Sequence, residues 1–399
     1  MYEPGPTAPG KLFGLKRYRC WHWREPVSAC LRCQSASESP TQGRFFCPNF
    51  KEEPMNNVRK LILGAALALS LLTACAAPQA PAASQAPQPA ESSSQSAGGG
   101  QHYPVTITNY NYAGEEVSYT YTQAPQRAVC IYQGCIETMI ALGLEDHVIA
   151  SYGLDNEVKE QWQEGFEKMH YDQSVFSPDK ETLTLLEPDF IFTWHSAFSD
   201  KKLGDVGAWN EKGVGTYQSA NSGAVKSCTM ENEYRDILNI GKIFDVEDRA
   251  QALVDEMRTA VADTLAAVDG QEKVTVAVVE PLGGKMTNYH AGTLAGDMVT
   301  QLGGELVKPE GDEMGKEDLI ALDPEVIFVV YMAYSGDSPE QVISAQLAAI
   351  EEDPALASLS AVRKGRVYPI MLGDMYASGP RTMDGIETLA RGMYPQLWE

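Results

Sequence analysis

Cationic side chains are scarce in this chain of 399 residues, where 31 Lys and Arg stand against 54 Asp and Glu and the net charge is −23. Nucleic-acid binding depends on clustered Lys and Arg that neutralise phosphates, so this composition excludes a nucleic-acid partner. No apolar run reaches the roughly 20 residues that a membrane-spanning helix needs. With 44% apolar residues the composition is nevertheless that of a folded protein, and the length predicts two domains.

Sequence signatures of common hydrolases and nucleotide-binding enzymes are missing as well. The chain contains no GxSxG, HExxH or GxxxxGK[ST] pattern, and its six histidines show no clustered zinc-ligand spacing. We therefore predict that the protein is not an enzyme, with a secreted, lipid-anchored enzyme as the less favoured alternative.

The first hundred residues read as processing signals rather than as part of the fold. Residues 55–74 combine a basic start with a short apolar stretch, which is typical of a secretory signal peptide. The tetrapeptide Leu-Thr-Ala-Cys75 resembles the bacterial lipobox, so we expect Cys75 to be diacylated and to anchor the protein on the extracytoplasmic side of the cell membrane. The Pro-, Ser- and Gly-rich residues 75–102 then form a flexible tether.

Residues 1–54 precede a signal that has its own start at Met55. We interpret them as the product of a start codon assigned too early or as a disordered extension. The alternative is a zinc module, for which only the pair Cys30-x-x-Cys33 has suitable spacing. Three cysteines besides Cys75 would allow one disulfide, whose pairing the sequence does not specify: Cys130, Cys135 and Cys228.

Beyond the tether, short β-branched strands alternate with helical segments, which indicates parallel α/β units. The alternating residues 104–122 predict a β-hairpin. Residues 245–269 carry apolar side chains at helical spacing and predict one long helix between two lobes. The lobes are expected at 103–244 and at 270–399.

An internal repeat indicates that the two lobes are similar. Residues 181–192 (ETLTLLEPDFIF) match 317–328 (EDLIALDPEVIF), and each copy predicts a short helix, a proline and a buried strand. The expected fold class is α/β, with two similar lobes built on mostly parallel sheets, joined by one long α-helix and separated by a ligand cleft.

On these residues the chain resembles the substrate-binding lipoproteins of ABC importers for ferric siderophores, haem and cobalamin, a helical-backbone class of periplasmic binding proteins. The segments HSAFSDKKLGDVGAWNEKGVGTY at 195–217 and SGPRTMDGIETLA at 378–390 are similar to its iron-complex branch. The resemblance implies a monomer that captures a ferric-siderophore-type complex and delivers it to an ABC permease dimer with its ATPase. Haem or cobalamin is the alternative ligand.

The same resemblance suggests roles for three charged residues. Glu181 and Glu317 start the matched helices, where similar proteins dock on arginine pockets of the permease, although a first-turn glutamate also suits the helix dipole. Arg381 lies at a predicted helix start after Pro380 and suits anionic chelate oxygens, with a salt bridge to Asp384 or another acid as the alternative.

Aromatic residues at strand ends are further candidate contacts for a large flat ligand, although each one also suits ordinary packing. They are Tyr152, Trp194, Tyr289, Tyr331 and Tyr376. His195 and His290 could ligate haem iron as a pair or together with Met332 or Met371. A ferric siderophore brings its own iron ligands, so no resident metal or cofactor is predicted.

Overall fold

The computed structural model describes residues 102–398. The predicted extension 1–54, the signal peptide, the lipidation site Cys75 and the tether up to residue 101 lie outside the described residues. None of the helices in the described part of the chain combines the length and the apolar character that crossing a membrane requires.

The amino-terminal lobe begins with the predicted hairpin and continues into a four-stranded parallel sheet. The hairpin pairs β1 (Val105–Tyr110) with β2 (Glu116–Tyr121). The sheet has the order β4-β3-β5-β6. Its strands are β3 (Ala128–Ile131), β4 (Val148–Tyr152), β5 (Phe190–Trp194) and β6 (Gly215–Ser219). The helices of this lobe are α1 (Gln133–Ala141), α2 (Gln163–Phe166), α3 (Lys180–Leu186), α4 (Val206–Asn210) and α5 (Met230–Ile243).

One long helix, α6 (Glu247–Ala267), follows the first lobe within the predicted range 245–269. Its 21 residues span roughly 30 Å at 1.5 Å per residue. It packs against α5 of the first lobe, where its Ala250 lies against Gly241, and it also contacts a helix near the carboxyl terminus. The helix therefore contacts both lobes, as the apolar spacing predicts.

The carboxyl-terminal lobe contains a six-stranded mixed sheet in the order β10-β8-β7-β11-β12, with β9 beside β7. Strands β7, β9, β11 and β12 are parallel. Strand β8 runs antiparallel to β7, and β10 pairs antiparallel with β8. The strands are β7 (Thr275–Leu282), β8 (Lys285–Asn288), β9 (Glu305–Leu306), β10 (Glu313–Met314), β11 (Val326–Tyr331) and β12 (Val367–Met371). The helices are α7 (Leu294–Gln301), α8 (Lys316–Leu322), α9 (Pro339–Glu351), α10 (Ser360–Arg363) and α11 (Thr382–Met393).

The repeated segments form equivalent units in the two lobes. Helices α3 and α8 have seven residues each, end on a residue in the left-handed region and lead through a buried proline into β5 and β11.

The acid after each proline has a structural role. Asp189 accepts hydrogen bonds of 2.8 Å from the backbone N–H groups of Gln126 and Arg127, just before β3. Glu325 accepts one of 3.1 Å from the N–H of Thr275, where β7 begins. These carboxylates hold the starts of neighbouring parallel strands together.

The hydrophobic core runs through both lobes. One cluster of buried side chains includes Phe190 of the first sheet, Val254 of α6 and Phe328 of the second sheet. Two smaller clusters fill the opposite face of each sheet. Because the largest cluster is shared, the lobes form one compact unit, and the predicted α/β fold with two similar lobes is confirmed.

The three cysteines of the described chain are free thiols, two buried and one half-buried: Cys130, Cys135 and Cys228. Burial raises the pKa of Cys228 to about 11 and that of the other two further still. Thiols in this state are poor nucleophiles, so the cysteines pack as small apolar side chains.

Candidate functional site

The carboxyl ends of the parallel strands of both lobes meet at a small cavity of about 30 Å³. Ligands of open α/β sheets bind at this end of the strands. Five lining residues come from the first lobe, at or after the ends of β3, β4 and β5, and five follow β11 and β12 of the second lobe: Gln133, Gly134, Asp155, Asn156 and Trp194, and Met332, Leu372, Gly373, Tyr376 and Ala377. The cleft that the sequence predicts between the lobes thus corresponds to a cavity lined by residues of both.

The cavity is much smaller than an ordinary ligand site. It holds about one water molecule, whereas small-molecule sites measure roughly 300–1,000 Å³. A wider hollow of about 440 Å³ lies at the start of α6, but the single stretch 245–249 lines it, without convergent groups from other elements. The interlobe cavity is the better candidate, and admitting a metal chelate requires the lobes or the lining side chains to move.

Trp194 and Tyr376 contribute aromatic rings to the lining of the cavity. The ring of Trp194 lies parallel to that of Tyr132, with centroids 4.4 Å apart, and meets the ring of Tyr376 edge-on at 5.5 Å. Tyr132 has a φ of 79° and a ψ of 152°, a conformation that costs about 1–3 kcal/mol outside glycine. In this conformation the Tyr132 ring stacks on Trp194. Of the two rings, that of Trp194 lines the cavity, where an aromatic side chain suits a planar or aromatic ligand.

Polar groups of the first lobe surround the same cavity. The side-chain oxygen of Gln133 accepts the backbone N–H groups of Asp155 and Asn156 at 3.1 Å each, which fixes the loop after β4. The amide nitrogen of Asn156 donates to the Ala333 carbonyl of the second lobe at 2.5 Å. Within the described residues, Asn156 Oδ1 and Trp194 Nε1 are buried without a hydrogen-bond partner. A buried polar atom of this kind costs about 1–3 kcal/mol, so these atoms favour an incoming ligand or water.

Arg381, a predicted ligand contact, is buried and faces Glu137 of α1. Its Nε and Nη2 donate to the two Glu137 carboxylate oxygens at 2.6 and 2.7 Å, and Nη2 also donates to the Glu157 carbonyl. Burial raises the pKa of the Glu137 carboxyl, and the Arg381 guanidinium opposes that rise. Asp384, the other partner that the sequence suggests for Arg381, pairs instead with Lys159 at 2.6 Å. Ligand contact by Arg381 stays a prediction, and it requires Glu137 to be displaced.

Further buried contacts close the lobes on each other beside this ion pair. Glu233 of α5 accepts the Gly379 N–H at 2.8 Å, and burial raises the pKa of Glu233 to about 8. Burial, with repulsion from Asp384, also raises the pKa of Asp374 to about 8. A Cβ atom added at Gly134 would lie only 2.5 Å from the Ala377 carbonyl oxygen, so α1 packs directly on the opposite loop. The arrangement with the small cavity is therefore a tightly closed one.

Three of the predicted tyrosines lie outside the cavity lining. Tyr152 is buried at the end of β4. The Tyr289 hydroxyl donates to Glu280 Oε2 at 2.9 Å. Burial raises the pKa of Tyr331, the last residue of β11, to about 12. Their contact with a ligand stays a prediction.

The two candidate haem ligands have separate surroundings. The His195 ring stacks on Tyr112 with centroids 4.8 Å apart, and burial lowers the pKa of His195. His290 Nε2 lies 3.1 Å from Asp312 Oδ1. Neither histidine lines the cavity, whereas Met332 does. Haem ligation by the histidines stays a prediction.

Glu181 and Glu317 occupy the same place in α3 and α8, and both are exposed. The helix starts are capped by other acids. Asp179 accepts the Thr182 N–H at 2.7 Å, and Asp318 accepts the Gly315 N–H at 3.0 Å. At each helix start one of these acids accepts a backbone N–H, so the caps are Asp179 and Asp318 and not the two glutamates. Their predicted docking role is consistent with this exposure and stays a prediction.

Sequence reasoning missed several residues of the site: Tyr132, Gln133, Glu137, Asp155 and Asn156. A signal existed for Tyr132, since it closes the apolar run AVCIY and the carboxyl ends of parallel strands meet at one edge. Gln133, Asp155 and Asn156 lie in no motif, and only the folded chain brings them to the cavity. Glu137 does not line the cavity and belongs to the ion pair with Arg381.

Comparison with known proteins agrees with this architecture. The sequence model of the periplasmic binding protein family matches residues 129–371. YvrC of Bacillus subtilis (strain 168), described as an uncharacterized ABC transporter substrate-binding lipoprotein, is 24% identical over 318 residues, which cover 74% of this chain and 88% of YvrC.

Two solved structures extend the comparison. A periplasmic binding protein from Veillonella parvula DSM 2008 has a TM-score of 0.69 and 29% identity, over 74% of this chain and 93% of its own. A protein of an ABC-type Fe3+-hydroxamate transport system from Saccharomonospora viridis DSM 43017 has a TM-score of 0.56 and 22% identity, over 73% and 99%, which shows the fold alone. The resemblance stated from the sequence is confirmed, and this chain belongs to the periplasmic binding protein family.

Proposed function

We propose that this protein is the lipid-anchored, extracytoplasmic binding component of an ABC importer and that its substrate is a ferric-siderophore-type iron complex. The observation that carries the proposal is the interlobe cavity, where the rings of Trp194 and Tyr376 and two unpartnered buried polar atoms meet at the carboxyl ends of both sheets. Trp194 and Tyr376 are the proposed aromatic contacts, one from each lobe.

Haem or cobalamin capture is the alternative within the same fold. Solved proteins of this fold at 18% identity or less include ones described as binding a siderophore, vitamin B12 and haem. The iron complex is preferred because a siderophore supplies its own metal ligands. His195 and His290 are engaged with Tyr112 and Asp312, away from the cavity lining.

Binding rather than catalysis is the proposed activity, since the family is one of solute-binding proteins. Delivery involves a permease dimer, on which Glu181 and Glu317 are the proposed contacts. Cys75 is the proposed lipidation site.

The first test is the intrinsic fluorescence of the full chain in detergent, titrated with ferric siderophores, haemin and cyanocobalamin. We expect saturable quenching by a ferric siderophore at micromolar concentration or below. The quenching should fall sharply in Trp194→Phe and persist in the control Trp398→Phe, which changes an exposed tryptophan near the carboxyl terminus. Quenching by haemin alone would favour the alternative ligand. If none of the compounds quenches the fluorescence, the proposed function is refuted.

A further inference from the structure

The lining of the interlobe cavity contains an acidic side chain and no basic one. Among its lining residues, Asp155 alone carries a side chain that is charged at neutral pH. The Asp155 main chain is held from both lobes, since its N–H donates to Gln133 and its carbonyl accepts the Ser335 N–H at 3.2 Å. Burial by itself raises the pKa of the Asp155 carboxyl to about 6, with no neighbouring charge contributing. The carboxylate thus lines the cavity without a counter-ion among the described residues.

Two basic residues at the contact between the lobes are already engaged with acids. The Arg381 guanidinium is paired with both oxygens of Glu137, and the Lys159 ammonium is paired with Asp384. Neither cation is available to a ligand unless a buried or half-buried salt bridge breaks first.

Lys202 is a third basic residue to consider, beside the stacked pair of Tyr132 and Trp194. Its Nζ lies 3.4 Å from the Tyr132 hydroxyl, but the side chain is exposed. A solvated charge of this kind interacts weakly and is screened by salt, so it offsets little of the negative charge at Asp155.

From this distribution we infer that the cleft selects complexes without net negative charge and that Asp155 receives a cationic or hydrogen-bond-donating arm of the ligand. The inference rests on the proposed function and narrows its substrate class. A negatively charged catecholate or carboxylate complex would be desolvated against an unpaired carboxylate, and the residues that line the cavity include no Lys or Arg to compensate. A neutral hydroxamate-type complex avoids this cost, and an ammonium group on it would supply the missing partner.

The test uses two probes that differ in one charge. Ferrioxamine B carries a free ammonium arm, and its N-acetyl derivative is neutral with the same ferric centre. Ferric enterobactin serves as the negative complex, and haemin and cyanocobalamin complete the panel as an anionic and a neutral alternative. Affinities are measured by fluorescence titration of the full chain at pH 7.5 and low salt.

We expect ferrioxamine B to bind about tenfold more tightly than its acetylated form, and ferric enterobactin to bind more weakly than both. Asp155→Asn should bring the ratio of the first two affinities close to one. The control Asp200→Asn removes an exposed acid of the loop after β5 and should leave the ratio unchanged. The ratio should also fall below pH 6 in the unmodified protein, as the carboxylate takes up a proton.

The outcomes separate this inference from the proposed function. Tighter binding of ferric enterobactin or haemin than of every neutral or cationic probe overturns the inference while a transport function stands. An unchanged ratio in Asp155→Asn overturns the role of that residue. Binding of cyanocobalamin alone would support selection against negative charge, but it would make cobalamin the substrate in place of an iron complex. Failure of the whole panel to bind would refute the proposed function and the inference together.

Discussion

The two lobes share a scaffold and differ in what they contribute to the cavity. Each contains the same helix, proline and strand. In each, the acid after the proline binds the start of the neighbouring strand in the sheet. The first lobe adds the ring of Trp194 and the polar side chains of Gln133, Asp155 and Asn156, whereas the second adds the thioether of Met332, loop backbone and Tyr376. The repeat therefore builds the sheets, whereas segments that do not repeat, at and after the strand ends, form the lining of the cavity.

The largest expected effect comes from breaking the ion pair that joins the lobes. Glu137→Ala leaves the buried Arg381 guanidinium without its partner, which should lower the free energy of unfolding by about 3–5 kcal/mol. Urea denaturation measures the loss. The control is Asp384→Asn, which breaks the half-exposed pair with Lys159 and should cost about 1 kcal/mol or less. Equal losses of unfolding free energy in the two variants would contradict a special contribution of the Arg381–Glu137 pair to holding the lobes together.

A second effect concerns the pH dependence of the lobe contact at Glu233. The folded carboxyl keeps its proton up to about pH 8, whereas the unfolded one loses it near its ordinary pKa of 4.5. The native state therefore binds the extra proton between these values, and the stabilisation present below pH 4.5 is lost as the pH rises towards 8.

The free energy of unfolding of Glu233→Gln should fall less between pH 4.5 and pH 8.5 than that of the unmodified protein, by about a few kcal/mol. Denaturation of both proteins at several pH values from 4.5 to 8.5 measures the difference. Glu231→Gln, an exposed change on the same helix, is the control and should leave the slope as it is. Parallel profiles for Glu233→Gln and the unmodified protein would rule out the raised pKa.

A smaller effect is expected from crowding the contact between α1 and the opposite loop. In Gly134→Ala the new methyl group meets the Ala377 carbonyl oxygen, so the lobes must separate slightly, at a cost of about 1–3 kcal/mol. Thermal unfolding measures the cost, and Gly315→Ala, where the methyl group has ordinary contact distances, is the control. No difference between the two variants would mean that the lobes are not held together at α1.

The smallest effect on the isolated protein should come from the matched glutamates. Glu181→Ala and Glu317→Ala change exposed side chains, so stability should shift by about 0.5 kcal/mol or less and ligand affinity should stay the same. Uptake by whole cells should nevertheless fall strongly in each variant, and further in the double variant. Glu211→Ala, an exposed change after α4, is the control, and normal uptake in the double variant would refute the docking role.

Much of the fold could be predicted because its signals are local. Apolar spacing over 245–269 corresponds to α6, and the alternation over 104–122 corresponds to the hairpin, since each pattern needs only neighbouring residues. The site could be predicted in part. Trp194 and Tyr376 follow from their positions at strand ends, but no local pattern distinguishes them from Tyr152, which is buried instead.

The sequence by itself determined the α/β class, the repeated unit in two lobes, the long helix and the position of the cleft. These features follow from periodicity, from proline geometry and from a repeat along one chain. Only the tertiary structure decided which charges meet. Arg381 and Glu137 are 244 residues apart and pair because the lobes close on each other, whereas Asp155 lines the cavity without a counter-ion. Local patterns contain no information on such partners, since burial and charge pairing are set by which surfaces the folded chain brings together.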